Sequence, residues 1–138
     1  MLSRYDLQRL SLLRLEVAIF LLQGNKPSSA YYLSGYSVEL ALKACISKIF
    51  QAGVIPDKGL VNAIYTHNLE SLMNMSGLLP ELKAKMKEDP AFGGSWGVVS
   101  KWNESSRYEF WDPVSAATLL GAINDEEHGV LPWLKTHW

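Results

Sequence analysis

Ala30-Tyr31-Tyr32-Leu33-Ser34-Gly35-Tyr36-Ser37-Val38-Glu39-Leu40-Ala41-Leu42-Lys43-Ala44-Cys45-Ile46 is the stretch that decides the fold. It reads as one long helix with apolar residues on nearly every side, the pattern of a helix in the middle of a bundle. Glu39 lies inside that apolar run. A desolvated carboxylate costs several kcal/mol unless something pairs with it. The helix therefore sets an architecture and demands a partner for Glu39.

Working outward, a first helix is predicted from about Tyr5 to Gln23. Leu7, Leu10, Leu13, Val17, Phe20 and Leu21 recur at three- and four-residue steps and make its apolar stripe. Gly24 is a natural C-terminal cap, and Asn25-Lys26-Pro27 makes a short turn. Ser28 or Ser29 then caps the second helix, which is expected to run to about Gln51. A link this short implies an antiparallel neighbour. Ala52 to Gly59 reads as a loop, with a short turn around Leu60–Ile64. A third helix starts at Thr66-His67-Asn68-Leu69-Glu70, with Asn68 or Thr66 as its cap, and stops at Gly77. A fourth is expected over Pro80 to about Asp89. Pro90 to Trp96, with Gly93-Gly94, reads as the most flexible segment. Asp112-Pro113 opens a further helix to about Asn124, with Asp112 as cap and Pro113 at the first helical position. Gly129, Pro132, Trp133, Leu134 and Trp138 read as a short docked tail. No strand alternation is visible. The expected fold is all-α, an up-and-down bundle of four to five main helices.

The 138 residues suit one domain covering 1–138. With 48% apolar and 20% charged residues, the chain can bury a core and is not disordered. A net charge of −1 argues against a globally basic nucleic-acid binder and leaves a local basic patch open. Cys45 is the single cysteine, which excludes an intrachain disulfide and a cysteine zinc cluster and fits a reducing cytoplasm. Arg4, Asp6 and Arg9 at the start speak against a signal peptide. Charge or glycine breaks the apolar stretches before ~18 residues, so no membrane span is expected.

Three pieces carry a family resemblance: Ala30-x-x-Leu33-x-Gly35-Tyr36-x-Val38-Glu39-Leu40-x-Leu42-Lys43-Ala44, then Thr66-His67-x-Leu69-x-x-Leu72, then Trp102-x-x-x-x-Arg107-Tyr108. Their order and spacing resemble the HEPN superfamily of small α-helical domains, from the first helix to Tyr108. The resemblance implies a helical bundle, often a homodimer. It also implies a link to RNA cleavage, nucleotide handling or toxin–antitoxin pairs, with a nucleotidyltransferase-like protein as partner. Many members of that superfamily are metal-independent ribonucleases with an Arg and a His separated by four to six residues. This chain departs from that pattern, because no histidine follows Arg107 until His128.

The candidate residues each have two readings. Glu39 and Lys43, one turn apart, make either a surface pair or part of a semi-buried link in which Glu39 meets the planar fork of Arg107. His67 is either a capping or packing histidine or a general base brought near Arg107 by folding. Trp96, Trp102, Tyr108, Phe110 and Trp111 either pack the last helices onto the core or stack on a base beside Arg107. Tyr36, Glu39, Lys43, Trp102 and Tyr108 are the candidate binding residues, and Arg107 with His67 the candidate catalytic ones. Lys83, Lys85 and Lys87 read as a solvated face, and Cys45 as a buried packing residue. No metal site or cofactor is expected, since His128 and His137 lack a ligand partner at helical spacing and no glycine-rich phosphate loop is present. The expected function is a HEPN-like binding or accessory module. The alternatives are a metal-independent endoribonuclease and a nucleotide-binding bundle with a pocket around Glu39, Lys43 and Arg107.

Overall fold

Ser3 starts the first helix. Its hydroxyl accepts from the Asp6 amide, and the Asp6 carboxylate accepts from the Ser3 amide in return, so two orphan donors are satisfied reciprocally. The computed structural model describes residues 2–138. Among them the chain is all-helical, with eight α-helices and no strand. The longest two, α1 (Arg4–Gln23) and α2 (Pro27–Ser47), form a hairpin. Its antiparallel sense shows in the Ser11 hydroxyl, which donates to the Ser37 carbonyl at 2.6 Å. Gly24 ends α1, but the left-handed residue of the turn is Asn25, at φ 58°. Asn adopts that region more readily than most residues because its short amide can bond locally.

Two expectations for this hairpin are corrected. The predicted stripe of α1 shares only Leu7 with the buried one, which is Leu7, Ser11, Leu15 and Ala18. Leu13 and Phe20 are exposed. Small residues let α1 lie close on α2, and the Ser11 hydroxyl is satisfied by a carbonyl there, so the closest-packing face is not the one with the largest side chains. The second correction is Ser28, which does not cap α2. The helix begins at Pro27 without a side-chain cap, and the Ser28 hydroxyl instead accepts from the Trp111 amide at 2.8 Å. α2 ends at Ser47, short of Gln51, and is the central helix as read: twelve of its residues are buried, Glu39 among them.

α3 (Lys58–Ile64) is a helix where a turn was expected, opened by the Asp57 carboxylate on the Leu60 amide. α4 (Leu69–Met75) is capped by Asn68, whose side chain accepts from the Ser71 amide. Gly77, at φ 76°, turns the chain into α5 (Leu79–Glu88). α6 (Pro90–Val99) overturns the reading of Pro90–Trp96 as flexible. Pro90 does end α5, and the same ring is preset for the first position of a new helix. The Asp89 carboxylate caps that helix on the Phe92 amide. Burial of Phe92, Trp96 and Val99 outweighs the ~1 kcal/mol that each helical glycine loses relative to alanine.

A short 3-10 turn (Glu104–Tyr108) leads to α7 (Pro113–Asn124), which begins as predicted with Asp112 accepting from the Ser115 amide. The tail forms α8 (Val130–Lys135), with Leu131 and Leu134 fully buried. Leu42, Phe92, Trp102, Leu119, Ile123, Leu131 and Leu134 are among the largest side chains fully buried in the core. No helix among the described residues is long and apolar enough to cross a membrane.

Candidate functional site

Tyr32, Tyr36, Glu39 and Lys43 stand at steps of three and four residues on α2, so they share one face of the helix. Glu39 is 3% exposed. Its carboxylate accepts from Lys43 Nζ at 2.9 Å. His67 Nδ1 lies 3.1 Å from Glu39 Oε1 and 3.0 Å from Oε2. The expected Glu39–Arg107 pair is therefore replaced. Lys43 comes from the same helix, and His67 comes from the segment that leads into α4.

The loop holds His67 in place. The Asn68 amide donates to Thr66 Oγ1 at 3.1 Å, and the Asn68 side chain caps α4 one residue beyond the histidine. A carboxylate can only accept, so the Nδ1 facing it carries the proton and donates. Nε2 is then the free nitrogen of the ring. The His67 side chain is 43% exposed, so the imidazole stands at the surface with its inner nitrogen fixed by a buried carboxylate. His67 is neither the helix cap nor a core residue.

Aromatic rings carry the face on from His67. Tyr36 meets the His67 ring edge-on at 5.8 Å and the Trp102 ring edge-on at 5.1 Å. The Tyr36 and Tyr32 hydroxyls are 3.1 Å apart. Burial, and after it the Tyr32 hydroxyl, pushes the Tyr36 phenol above its ordinary range, so Tyr36 keeps its proton. Trp102 is seated on α2 where residue 35 has no side chain: a Cβ on Gly35 would run into Cδ2 and Cε2 of the indole. Trp102 Nε1 and the Ser106 hydroxyl are buried without a hydrogen-bond partner among the described residues.

Arg107 reaches the same patch from the 3-10 turn. Its guanidinium lies 4.8 Å from the centre of the Tyr108 ring. The Tyr108 hydroxyl, and after it that of Tyr32, raises its pKa, and its charge is felt at Tyr36. Among the described residues Arg107 is in no salt bridge with this chain.

The predicted aromatic cluster divides. Trp96 and Trp102 are buried, and Trp111 stacks on Tyr31 with ring centres 3.6 Å apart. Tyr108 and Phe110 are exposed, Phe110 completely. Tyr32 was missed by the sequence reading, although its spacing to Tyr36 and Glu39 already placed it on this face. Lys43 also lines a surface groove of about 530 Å³ with Leu7, Ile46, Phe50, Ile64 and Tyr65. Neither Glu39 nor Arg107 lines that groove, so the pocket expected around all three is not formed there. Among the described residues no three His, Cys, Asp or Glu side chains gather as metal ligands would.

Comparison with protein-family models, with curated proteins and with solved structures finds no match for this chain.

Proposed function

We propose that the chain is a HEPN-like domain, an up-and-down helical bundle acting as a homodimeric binding or accessory module in nucleic-acid or nucleotide processing, of the toxin–antitoxin kind. Its ligand is single-stranded RNA, and its binding face is the patch that joins His67, Tyr36, Arg107 and Tyr108. One observation carries this reading: a guanidinium in no salt bridge among the described residues stands beside exposed Tyr108, two residues before exposed Phe110 in the chain, on the same patch as a carboxylate-held imidazole. Arg107 supplies charge for a phosphate, and the two exposed rings supply stacking surface worth about 1–3 kcal/mol per base. A nucleotidyltransferase-like protein is the partner that the resemblance suggests for the module, by analogy with the family.

The Glu39–His67 contact favours a second reading, a metal-independent endoribonuclease. There Nε2 of His67 takes the proton of an RNA 2′-hydroxyl and that oxygen attacks the adjacent phosphorus. Arg107 stabilises the charge that builds on the phosphoryl oxygens. Tyr36, which keeps its proton, gives it to the departing 5′-oxygen, leaving a 2′,3′-cyclic phosphate.

One experiment separates the two. End-labelled single-stranded RNA is incubated in chelator with the wild type and with Arg107→Ala, and both binding and cleavage are read. Binding without cleavage, weakened in a folded Arg107→Ala variant, is the expected result. Cleavage lost in that variant establishes the ribonuclease. Neither binding nor cleavage overturns both readings.

A further inference from the structure

The apolar side chains that α1 does not bury are arranged in a line. Tyr5, Arg9, Leu12, Leu13, Glu16 and Phe20 fall within an arc of about 100° at the helical repeat of about 3.6 residues. Tyr5 is 64% exposed and Phe20 72%, and Leu12 and Leu13 are exposed between them. Large aromatic and leucine side chains in one line on a helix of a small domain mark an association surface. The charges on the line are as informative as the apolar groups. The Arg9 guanidinium lies along it, 5.6 Å from the centre of the Tyr5 ring. Among the described residues neither Arg9 nor Glu16 is in a salt bridge with its own chain.

We propose that this stripe is covered by α1 of a second copy, crossing antiparallel about a two-fold axis that passes between Leu12 and Leu13. The stripe is self-complementary in that arrangement. Leu12 faces the partner's Leu13, Arg9 faces the partner's Glu16, and Tyr5 faces the partner's Phe20. Each pair occurs twice, as an isologous contact requires. A parallel crossing in register would set Arg9 against Arg9 and Glu16 against Glu16, and like charges in an interface are strongly unfavourable. The order of charges along α1 thus selects both the occupant and its direction. The proposal supplies the surface for the homodimer put forward above and rests on that part of the reading. The RNA face is built on other elements, α2, the loop before α4 and the 3-10 turn, so either can fail alone.

The test is mass in solution across a concentration series, by sedimentation equilibrium, with circular dichroism as the check of folding. The wild type should approach twice the chain mass of 15.4 kDa. Arg9→Glu sets two like-charge pairs in each interface and should weaken association by about a hundredfold or more, taking about tenfold for each pair. The double variant Arg9→Glu with Glu16→Arg exchanges the charges and should restore the dimer. A wild type that stays at the chain mass overturns the proposal. So does a folded Arg9→Glu that still dimerises, or a folded double variant that stays monomeric. The same samples titrated with labelled single-stranded RNA show whether the RNA reading stands or falls separately.

Discussion

Gly35→Ala tests the seat of Trp102, and through it the face that carries Tyr36 and His67. Alanine is ordinarily the better residue inside a helix, by about 1 kcal/mol. At position 35 the added methyl group would overlap Cδ2, Cε2 and Nε1 of the Trp102 indole. Trp102 is 2% exposed, so the ring has no open space to swing into. Over-packing a well-filled core costs about 1–3 kcal/mol, and an overlap with a rigid ring belongs at the top of that range. Subtracting the propensity gain leaves a net loss of about 2 kcal/mol. Gly121→Ala is the control: residue 121 is exposed within α7, and a Cβ there meets nothing within 4 Å. That change should stabilise by about 0.5–1 kcal/mol. The same chemical substitution is thus expected to have opposite signs at two helical sites, some 3 kcal/mol apart.

Urea unfolding followed by tryptophan fluorescence measures both. A slope of about 1–3 kcal/mol per molar puts the two midpoints one molar or more apart. RNA anisotropy on the same variants should show weaker binding for Gly35→Ala only, because a displaced Trp102 no longer backs Tyr36. If Gly35→Ala proves as stable as Gly121→Ala, Trp102 does not lie on α2 at that point and the account of the aromatic patch is wrong.

Glu39→Gln keeps the shape of the side chain and removes the charge from between Lys43 and His67. It should destabilise by about 1–2 kcal/mol in urea unfolding, since both partners can turn partly toward water, and a loss under about 0.3 kcal/mol would deny the cluster any structural role. His128 and Asp89 are 2.7 Å apart, and each shifts the other: Asp89 raises the His128 pKa from 6.5, and His128 lowers the Asp89 pKa from 3.8. The histidine's share of the stability is full below its unfolded pKa and is lost as pH rises through its folded value, while the aspartate's is full above its unfolded pKa and is lost as pH falls through its folded value. The thermal midpoint of the wild type should therefore exceed that of His128→Gln most between pH 3.8 and pH 6.5, and a difference independent of pH would rule the pairing out. Burial pushes the Cys45 thiol up to about 11, so the native protein should react with a thiol reagent at neutral pH far more slowly than the urea-unfolded chain, and equal rates would show that the thiol is accessible.

What the sequence made legible follows where one residue type does one job. Asp112-Pro113 could only open a helix, and it does. The run from Ala30 to Ile46 is apolar on nearly every side, and α2 is accordingly central. Legibility failed where a residue could do two things. Pro90 ends one helix and begins the next, so a breaker was taken for a flexible segment while Asp89 before it was already a good cap. Ser28 could cap a helix or hold a distant amide, and tertiary structure took it for the Trp111 amide. Apolar periodicity on α1 was real but ambiguous. It gave one stripe, and packing against α2 chose another, with Ser11 and Ala18, that shares only Leu7 with it.

The partner of Glu39 was the hardest residue to foresee, and the reason is physical. The need for a partner follows from burial alone, and local pattern supplies only Lys43. The choice between His67 and Arg107 depends on how closely the loop before α4 approaches α2, a long-range distance that no helical period encodes. The outcome changes the chemistry. An Arg107–Glu39 pair would have neutralised the cation inside the fold. With Lys43 and His67 on Glu39, the guanidinium stays at the surface beside Tyr108, and the imidazole is held by one nitrogen with the other free. Satisfying one buried carboxylate therefore leaves one free cation and one proton-accepting imidazole nitrogen on a single patch, and that is why the RNA assay turns on Arg107 while the stability assay turns on Glu39.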